Sequence, residues 1–360
     1  MPHNVLHLPG ELTLKSLLGE ARGRGAGGLH LSAGAVPHVR IEGEVVRLER
    51  PALTEAEVRG WAEALLRMGG VEQGLDVDFC FDDPDHGRFR ANHFRHRRGT
   101  GISLKCIPSQ LRDLEALGLP PSLYGFTELN TGMVLVAGPG GCGKSSTLAA
   151  LIQRINETRR EHIITIEDPI EFLFPPARCN VTQRQIGAHT RSFEAALRAA
   201  LREDPDVVLV SELRDLETIR TAVVAAETGH LVFGTLHTRD AASTVSRLLD
   251  VFPAKEQEQV RTMLAASLRA VLCQRLMPRA GGGARVPAYE LLPITPAVAA
   301  LIRDGRTHQI PSMLQIGRKQ GMIDLDTRLE EMVEQGLITG ETARRNAKNR
   351  TRFPGASDGA

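Results

Sequence analysis

Gly138-Pro139-Gly140-Gly141-Cys142-Gly143-Lys144-Ser145 is the stretch of sequence that decides the fold of this chain. It fits, without a mismatch, the pattern G-x-x-x-x-G-K-[ST] of a phosphate-binding loop between a strand and a helix. An apolar run precedes it and a helix-forming run follows it, so a glycine-rich turn that contains a lysine by chance is the weaker alternative. Backbone N–H groups of such a loop hold the phosphate, Lys144 reaches the β- and γ-phosphates, and the Ser145 hydroxyl ligates Mg²⁺. The sequence therefore predicts nucleotide binding.

Around this loop, apolar strand-like runs alternate with helical stretches from Gly132 onward, which is typical of βαβ units around a parallel sheet. The expected strands are residues 133–137, 163–166, 207–210 and 231–235, and the expected helices are residues 144–157, 192–202, 216–227 and 241–249. From Ala254 onward we expect a mainly helical chain. Before Leu117, short strands mix with helices, and Thr54 with Glu57 resembles a capping box. Fold class is thus α/β for the larger part and α+β for the smaller.

Composition excludes several classes of protein. The chain has 360 residues, 42% hydrophobic residues and a formal net charge of +1, which argues against disorder and gives no support for a dedicated nucleic-acid binder. No uncharged apolar run reaches the roughly 18 residues of a membrane span, and residues 1–7 lack the features of a secretory signal. Five scattered cysteines indicate a reducing compartment. We expect two domains and a cytoplasmic protein.

Acidic and histidine residues stand where three of the expected strands end. Glu167 and Glu171 follow the expected strand 163–166, and Glu212 follows the strand 207–210. His237 follows the strand 231–235, and His230 stands at the start of that strand. Ligands of open α/β sheets gather at the carboxyl ends of strands. Glu212 resembles a Walker B carboxylate that holds Mg²⁺ through water. The alternative, charged residues that flank strands only because loops are wet, stays open for any one position.

A basic segment lies in the first part of the chain, with only one acid, Asp85, nearby in the sequence. Its cations are Arg88, Arg90, Arg95, Arg97, Arg98 and Lys105. Arg88 and Arg90 share one face of a strand because alternate residues do, and guanidinium groups suit phosphate oxygens. A solvated face and a nucleic-acid patch are the alternatives.

Three runs resemble the secretion-type traffic ATPases, and within them the type IV pilus retraction (twitching motility) ATPases of the PilT type. They are ITIEDPIEF (residues 164–172), AALREDPD (199–206) and AETGHLVFGTLHT (226–238). The similarity covers nearly the whole chain. The resemblance implies a PAS-like α+β domain over residues 1–117, a linker over 118–131, a RecA-like ATPase domain with a helical C-terminal part over 132–350, and a disordered tail over 351–360.

The resemblance also implies the roles of single residues. Glu171 ends the acidic stretch that begins at Glu167 and activates water, Glu212 is the Walker B glutamate, and His230 and His237 form a box that senses phosphate. The expected nucleotide-binding residues are Gly138, Gly141, Gly143, Lys144, Ser145, Ser146, Arg88, Arg90 and Lys105. Ser145 and Glu212 are the expected Mg²⁺ residues.

The implied function is ATP hydrolysis by a homohexameric motor that drives type IV pilus retraction, with ATP and Mg²⁺ as cofactors. The implied partners are an inner-membrane platform protein of the pilus machine and, optionally, a related accessory ATPase. Neither nucleic acid nor direct membrane insertion is expected, and the motor is placed in the cytoplasm at the inner-membrane pilus base.

Several positions depart from the pattern of this family. They are Gly140, Cys142 and Ser146 in the phosphate loop, Ser211 and Leu213 beside the Walker B glutamate, Lys105 in place of arginine, and Ala299, Ala300 and Asp304 in a C-terminal helix. These departures keep two alternatives open: a poorly hydrolysing accessory subunit of a mixed motor, and an assembly or secretion ATPase. A small-molecule kinase is a more distant alternative without a motif of its own.

Overall fold

The structure is a computed structural model that describes residues 13–41, 43–108 and 110–353. The chain divides into two compact units, Met1–Gln110 and Leu111–Ala360. Residues 1–7, considered above for a signal sequence, and residues 354–360 of the expected tail lie outside the described residues. Within the described ranges, no helix combines the length and the apolar character that crossing a bilayer requires.

The smaller unit is built on a six-stranded sheet whose neighbouring strands are all antiparallel. Its elements are α1 (Leu14–Gly23), β1 (Gly28–Ser32), β2 (His38–Ile41), β3 (Glu44–Arg47), α2 (Glu55–Gly69), β4 (Asp76–Asp83), β5 (Gly87–His96) and β6 (Gly99–Cys106). The strand order is β3-β2-β1-β6-β5-β4. Strands mixed with helices are what the sequence predicted for this part of the chain.

The predicted capping box at the start of α2 is confirmed. The backbone N–H of Glu57 donates to Thr54 Oγ1 at 3.3 Å, and the Thr54 N–H donates to Glu57 Oε2 at 2.7 Å. These two bonds satisfy N–H groups that have no partner inside the helix. Gly70, with φ of +65°, ends the helix in the left-handed conformation that glycine adopts without strain.

The larger unit holds a seven-stranded sheet in the order β13-β12-β7-β11-β10-β8-β9. Its strands and α-helices are β7 (Gly132–Ala137), α3 (Lys144–Thr158), β8 (His162–Glu167), β9 (Asn180–Gln185), α4 (Phe193–Ala200), β10 (Val207–Val210), α5 (Leu216–Glu227), β11 (Leu231–Leu236), α6 (Ala241–Asp250), α7 (Ala254–Ser267), β12 (Leu268–Met277), β13 (Val286–Pro293), α8 (Pro296–Arg303), α9 (Ile310–Ile316), α10 (Leu325–Glu334) and α11 (Gly340–Asn346). Every neighbouring pair is parallel except β12 with β13. The predicted α/β fold with a parallel core is confirmed.

Two strands correct the expectation that the chain after Ala254 is mainly helical. β12 and β13 lie in that segment and form one edge of the sheet, and the helices resume only at α8. A short apolar run does not by itself distinguish a buried strand from a buried helix, and β12 is buried along most of its length.

The segment expected to be a linker, residues 118–131, is part of the larger unit. Pro121–Glu128 forms a 3-10 helix next to α3. Leu119 and Leu123 are buried in the core on that side of the sheet. Arg159 donates to the backbone oxygens of Thr127 at 2.9 Å and Leu129 at 2.7 Å. The segment is therefore packed and hydrogen-bonded to the sheet layer that carries the phosphate loop.

Candidate functional site

The phosphate loop, residues 138–145, joins β7 to α3 and depends on glycine for its shape. Gly138, Gly141 and Gly143 have φ of +143°, +72° and +95°, values that other residues rarely adopt. A Cβ on Gly138 would lie 2.3 Å from the backbone oxygen of Gln274 and 2.7 Å from Cys142 Sγ. Glycine at this position therefore allows both the turn and its close approach to β12.

Lys144 is held over the loop rather than extended into solvent. Its side chain is buried, and Nζ donates to the backbone oxygens of Gly138 at 2.7 Å and Pro139 at 3.1 Å. Nζ also lies 3.5 Å from His237 Nδ1. Ser145 and Ser146 occupy the first turn of α3, where Ser145 is exposed. The loop thus presents an ammonium group and a hydroxyl at the positive end of a helix, where anions bind.

Gln274 supports this loop and was not predicted from the sequence. Its side chain on β12 is buried, Nε2 donates to Cys142 O at 2.9 Å, and Oε1 accepts from Thr147 Oγ1 at 2.9 Å. Both polar atoms of its amide are therefore hydrogen-bonded, one to the loop and the other to the helix that follows it. No sequence signal pointed to Gln274, because its segment was expected to be helical.

Glu212 and His237 meet at the carboxyl ends of β10 and β11. His237 Nε2 lies 3.3 Å from Glu212 Oε1, and Arg214 Nη2 lies 2.7 Å from Glu212 Oε2. Burial raises the pKa of Glu212, but Arg214 and His237 outweigh that effect and lower it on balance. Glu212 is therefore an ionised carboxylate at neutral pH. Arg214, two residues further along the chain, is a contact of Glu212 that was not predicted from the sequence.

Glu167 and Glu171 lie at the end of β8 and are both buried. Burial raises the pKa of Glu167 to about 7, and the nearby Glu171 charge adds to the rise. Hydrogen bonds from Thr165 Oγ1 at 2.7 Å and Gln183 Nε2 at 3.2 Å act in the opposite direction. Near neutral pH, Glu167 is thus divided between its neutral and charged forms.

Gln183, on β9, also organises the chain that carries Glu171. Its Nε2 donates to Phe172 O at 2.9 Å, and its Oε1 accepts from Phe174 N at 3.1 Å. Gln185, two residues further along β9 and therefore on the same face, accepts from Ile170 N at 3.2 Å. The edge strand β9 therefore holds the segment on both sides of Glu171. Neither this strand nor these glutamines were predicted from the sequence.

His230 is not brought to this cluster. It precedes β11, at the end of the strand opposite to His237, and its Nδ1 lies 3.0 Å from Ala225 O. A strand of six residues spans roughly 20 Å. Within one chain, the two histidines of the expected box are therefore separated by the length of strand β11.

Arg88, Arg90 and Lys105 belong to the smaller unit. Arg88 pairs with Asp82 and Arg90 with Asp78, both on the adjacent strand β4. This corrects the view that only Asp85 is near these cations, because strand pairing brings Asp82 next to Arg88 and Asp78 next to Arg90. Arg90 lies opposite Lys105 in the β5–β6 register. The buried Phe89 points to the other face, as alternation predicts.

The residues that could hold Mg²⁺ fit a cation bound mainly by its nucleotide. Among the described residues there is no group of three or more His, Cys, Asp or Glu side chains suited to a metal. Ser145 offers an exposed hydroxyl, and Glu212 an ionised carboxylate with one oxygen on Arg214. Mg²⁺ is commonly coordinated by one or two protein ligands together with phosphate oxygens and water, and this donor set fits that coordination.

Comparison with known proteins adds independent findings. The family model "Type II/IV secretion system protein" matches residues 83–345. The chain is 46% identical to the type IV pilus retraction ATPase PilT of Pseudomonas aeruginosa over 94% of its own length and 98% of that protein. It is 48% identical to a twitching motility protein of Neisseria gonorrhoeae over 87% of its own length and 84% of that protein.

Among solved structures, the crystal structure of the pilus retraction motor PilT with bound ADP is similar along nearly its entire length. The TM-score is 0.82 at 42% identity, and the match covers 95% of this chain and 99% of the other. A likeness of this extent includes both units and not the nucleotide-binding fold alone.

Proposed function

The chain belongs to the type II/IV secretion system protein family, and from this premise we propose that it is an ATP-hydrolysing motor that powers type IV pilus retraction. The observation that carries the proposal is the continuous contact from Lys144 through His237 to Glu212. These three side chains come from three neighbouring parts of the sheet and meet beside the phosphate loop. Such a set can bind the γ-phosphate and respond to its loss.

We assign ATP binding to the phosphate loop. Its backbone N–H groups and the positive end of α3 hold the phosphates, and Lys144 moves its ammonium from backbone carbonyls to the β- and γ-oxygens. Those carbonyl bonds keep the buried ammonium solvated until the nucleotide arrives. Gln274 keeps the loop in its binding conformation.

We assign the hydrolytic step to Glu171 and His237, with Glu167 and Glu212 in supporting roles. Glu171 accepts a proton from the attacking water while His237 donates to the transferring phosphoryl group. Glu167, with a pKa of about 7, is partly neutral and so limits the negative charge around Glu171. Mg²⁺ would be held by Ser145 and, through water, by Glu212, and it would neutralise charge that develops on the phosphate oxygens.

The remaining assignments extend to the assembled motor. We propose a homohexamer in the cytoplasm at the inner-membrane pilus base, with a platform protein of the pilus machine as its docking partner. The smaller unit is the PAS-like domain, and its strand with Arg88 and Arg90 reaches bound nucleotide. This requires both arginines to exchange their β4 aspartates for phosphate oxygens. Closure and release of that strand would couple hydrolysis to movement, because ATP then binds the two arrangements with different affinity.

The test of the enzymatic proposal is ATP turnover by the purified chain alone. Lys144→Ala should abolish it, and Glu171→Gln should lower kcat by about 10²–10⁴ while nucleotide still binds. Lys319→Ala and Glu258→Gln, at exposed positions of the same unit, are the matched controls. Steady turnover would also argue against a poorly hydrolysing accessory subunit. Parental turnover by Lys144→Ala would contradict the proposal.

The direction of force is tested by deleting the gene in its host. A retraction motor predicts abundant surface pili together with loss of surface motility. An assembly motor predicts a cell without surface pili, and that outcome would overturn the retraction assignment while leaving the ATPase assignment intact.

A further inference from the structure

A buried carboxylate, Glu290, lies outside the cluster described above. It stands on β13 opposite Cys273 of β12 and is 2% exposed. Its Oε1 accepts from the backbone N–H of Ala241 at 2.8 Å, and its Oε2 accepts from Lys348 Nζ at 2.7 Å. A buried charge is costly unless it is paired and hydrogen-bonded, and here each carboxylate oxygen has one partner.

The first partner of Glu290 belongs to the phosphate end of the site. Ala241 is the first residue of α6, and residues 237–240, which we call the His237 turn, connect it to β11. The turn has a second anchor in Arg275, whose Nη2 donates to Arg239 O at 3.3 Å. At its start, His237 contacts Lys144 and Glu212. The turn is also bonded to α6, because Thr238 Oγ1 lies 2.6 Å from Thr244 Oγ1. The two anchors hold the turn to the sheet edge, and they therefore contribute to the position of His237.

Both anchors are also joined to the last residue of α11 or to the chain that follows it. Lys348 supplies the ammonium on Glu290, and Arg275 Nη1 donates to Asn346 O at 3.3 Å. The backbone N–H groups of Lys348 and Asn349 donate to the buried Asp326 of α10 at 2.7 and 2.8 Å. The C-terminal helices are thus connected to the His237 turn through two side chains of the sheet edge.

We propose that Glu290 is a positioning residue for His237 and that its pair with Lys348 couples the C-terminal helices α10 and α11 to the phosphate end of the ATPase site. A shift of residues 346–349 would release the Ala241 N–H and loosen the turn, whereas the loop bonds of Lys144 to Gly138 O and Pro139 O involve neither Glu290 nor Lys348. The inference rests on the proposed function, since it assigns the coupling to ATP turnover. It predicts an effect on turnover without an effect on nucleotide affinity.

The experiment compares Lys348→Met with the parent, Lys348→Arg and the control Lys319→Met. Methionine keeps an apolar stem and removes the ammonium, and Lys319 is an exposed lysine of the same region. The first readout is hydrogen–deuterium exchange of the amides of residues 238–241, which includes the N–H that Glu290 holds. The second is the kcat and KM for ATP. Glu290→Gln, which keeps an oxygen for Ala241 but loses the charge, serves as the second variant.

For Lys348→Met we expect exchange in the His237 turn to rise by about threefold to tenfold, and kcat to fall by a similar factor. KM should stay within about twofold, because the bonds of Lys144 to Gly138 O and Pro139 O do not involve the His237 turn. Lys348→Arg keeps a cation for Glu290 and should behave like the parent. Glu290→Gln should reproduce the pattern. Unchanged exchange in the turn, or an equal rise with Lys319→Met, would overturn the inference. A parent without ATP turnover would instead refute the proposed function, and the exchange data would still test the coupling.

Discussion

Glu167 offers a sharp test of the electrostatics of the site, through the substitution Glu167→Gln. The carboxyl group is buried, and its pKa is raised from an ordinary value of 4.5 to about 7. Glutamine has nearly the same shape, keeps an oxygen for the hydrogen bonds from Thr165 and Gln183, and cannot ionise. The substitution therefore removes the cost of a buried charge and little else.

The sign and size of the effect follow from proton linkage. Because the folded chain holds the proton of Glu167 more tightly than the unfolded chain does, the free energy of unfolding falls as pH rises from 4.5 through 7. At about 1.36 kcal/mol per pH unit, the full penalty is about 3 kcal/mol above pH 7. Glu167→Gln should therefore be more stable than the parent by about 1 kcal/mol at pH 5 and about 3 kcal/mol at pH 8.

The measurement is calorimetric unfolding of both proteins between pH 5 and pH 8. Calorimetry is preferred to fluorescence because the single tryptophan, Trp61, lies in the smaller unit. For a unit of this size, 3 kcal/mol corresponds to a rise in Tm of about 6 °C or more. Glu258→Gln, at an exposed position on α7, is the control and should show no pH-dependent difference. A Tm difference for Glu167→Gln that stays constant across the pH range would refute the reasoning.

Three further changes test the loop and its supports. Gly138→Ala puts a Cβ 2.3 Å from Gln274 O, so nucleotide binding measured by calorimetric titration should be lost. The control Gly140→Ala, whose Cβ meets nothing within 4 Å, should bind nucleotide normally. Equal affinities of the two variants would contradict the prediction. Gln274→Ala removes both bonds to the loop and helix and should weaken ATP binding by about tenfold in calorimetric titration, an unchanged Kd being the contrary result. Gln183→Leu removes the hydrogen bonds that hold the segment around Glu171, so kcat should fall by about tenfold with KM unchanged in steady-state assays. A rise in KM by the same factor would show that Gln183 supports nucleotide binding instead.

The elements that the sequence predicted well are those whose signal is local. The phosphate loop needs glycines at positions of positive φ, and the strands β7, β8, β10 and β11 are continuous apolar runs because a parallel sheet is buried on both faces. The α2 capping box is another local pattern, complete within four residues. In each case the residues that make the structure are neighbours in the chain.

The failures involve residues that strand pairing and packing bring together. The segment that forms β12 and β13 was expected to be helical, because apolar content alone does not distinguish a buried strand from a buried helix. The partners of Arg88 and Arg90 come from β4 through strand register, which the sequence pattern left unspecified. Gln274 was missed for the same reason, because 132 residues separate it from the Cys142 oxygen to which it donates.

The sequence by itself determined the nucleotide loop, the parallel order of strands and helices around it, and the family to which the chain belongs, because each is written in contiguous residues. Tertiary structure alone decided that His237 meets both Lys144 and Glu212. It also decided that burial raises the pKa of Glu167 and that Glu290 connects the C-terminal helices to the His237 turn. Distance, burial and charge pairing are properties of the packed sheet, where residues more than a hundred positions apart come within hydrogen-bonding distance.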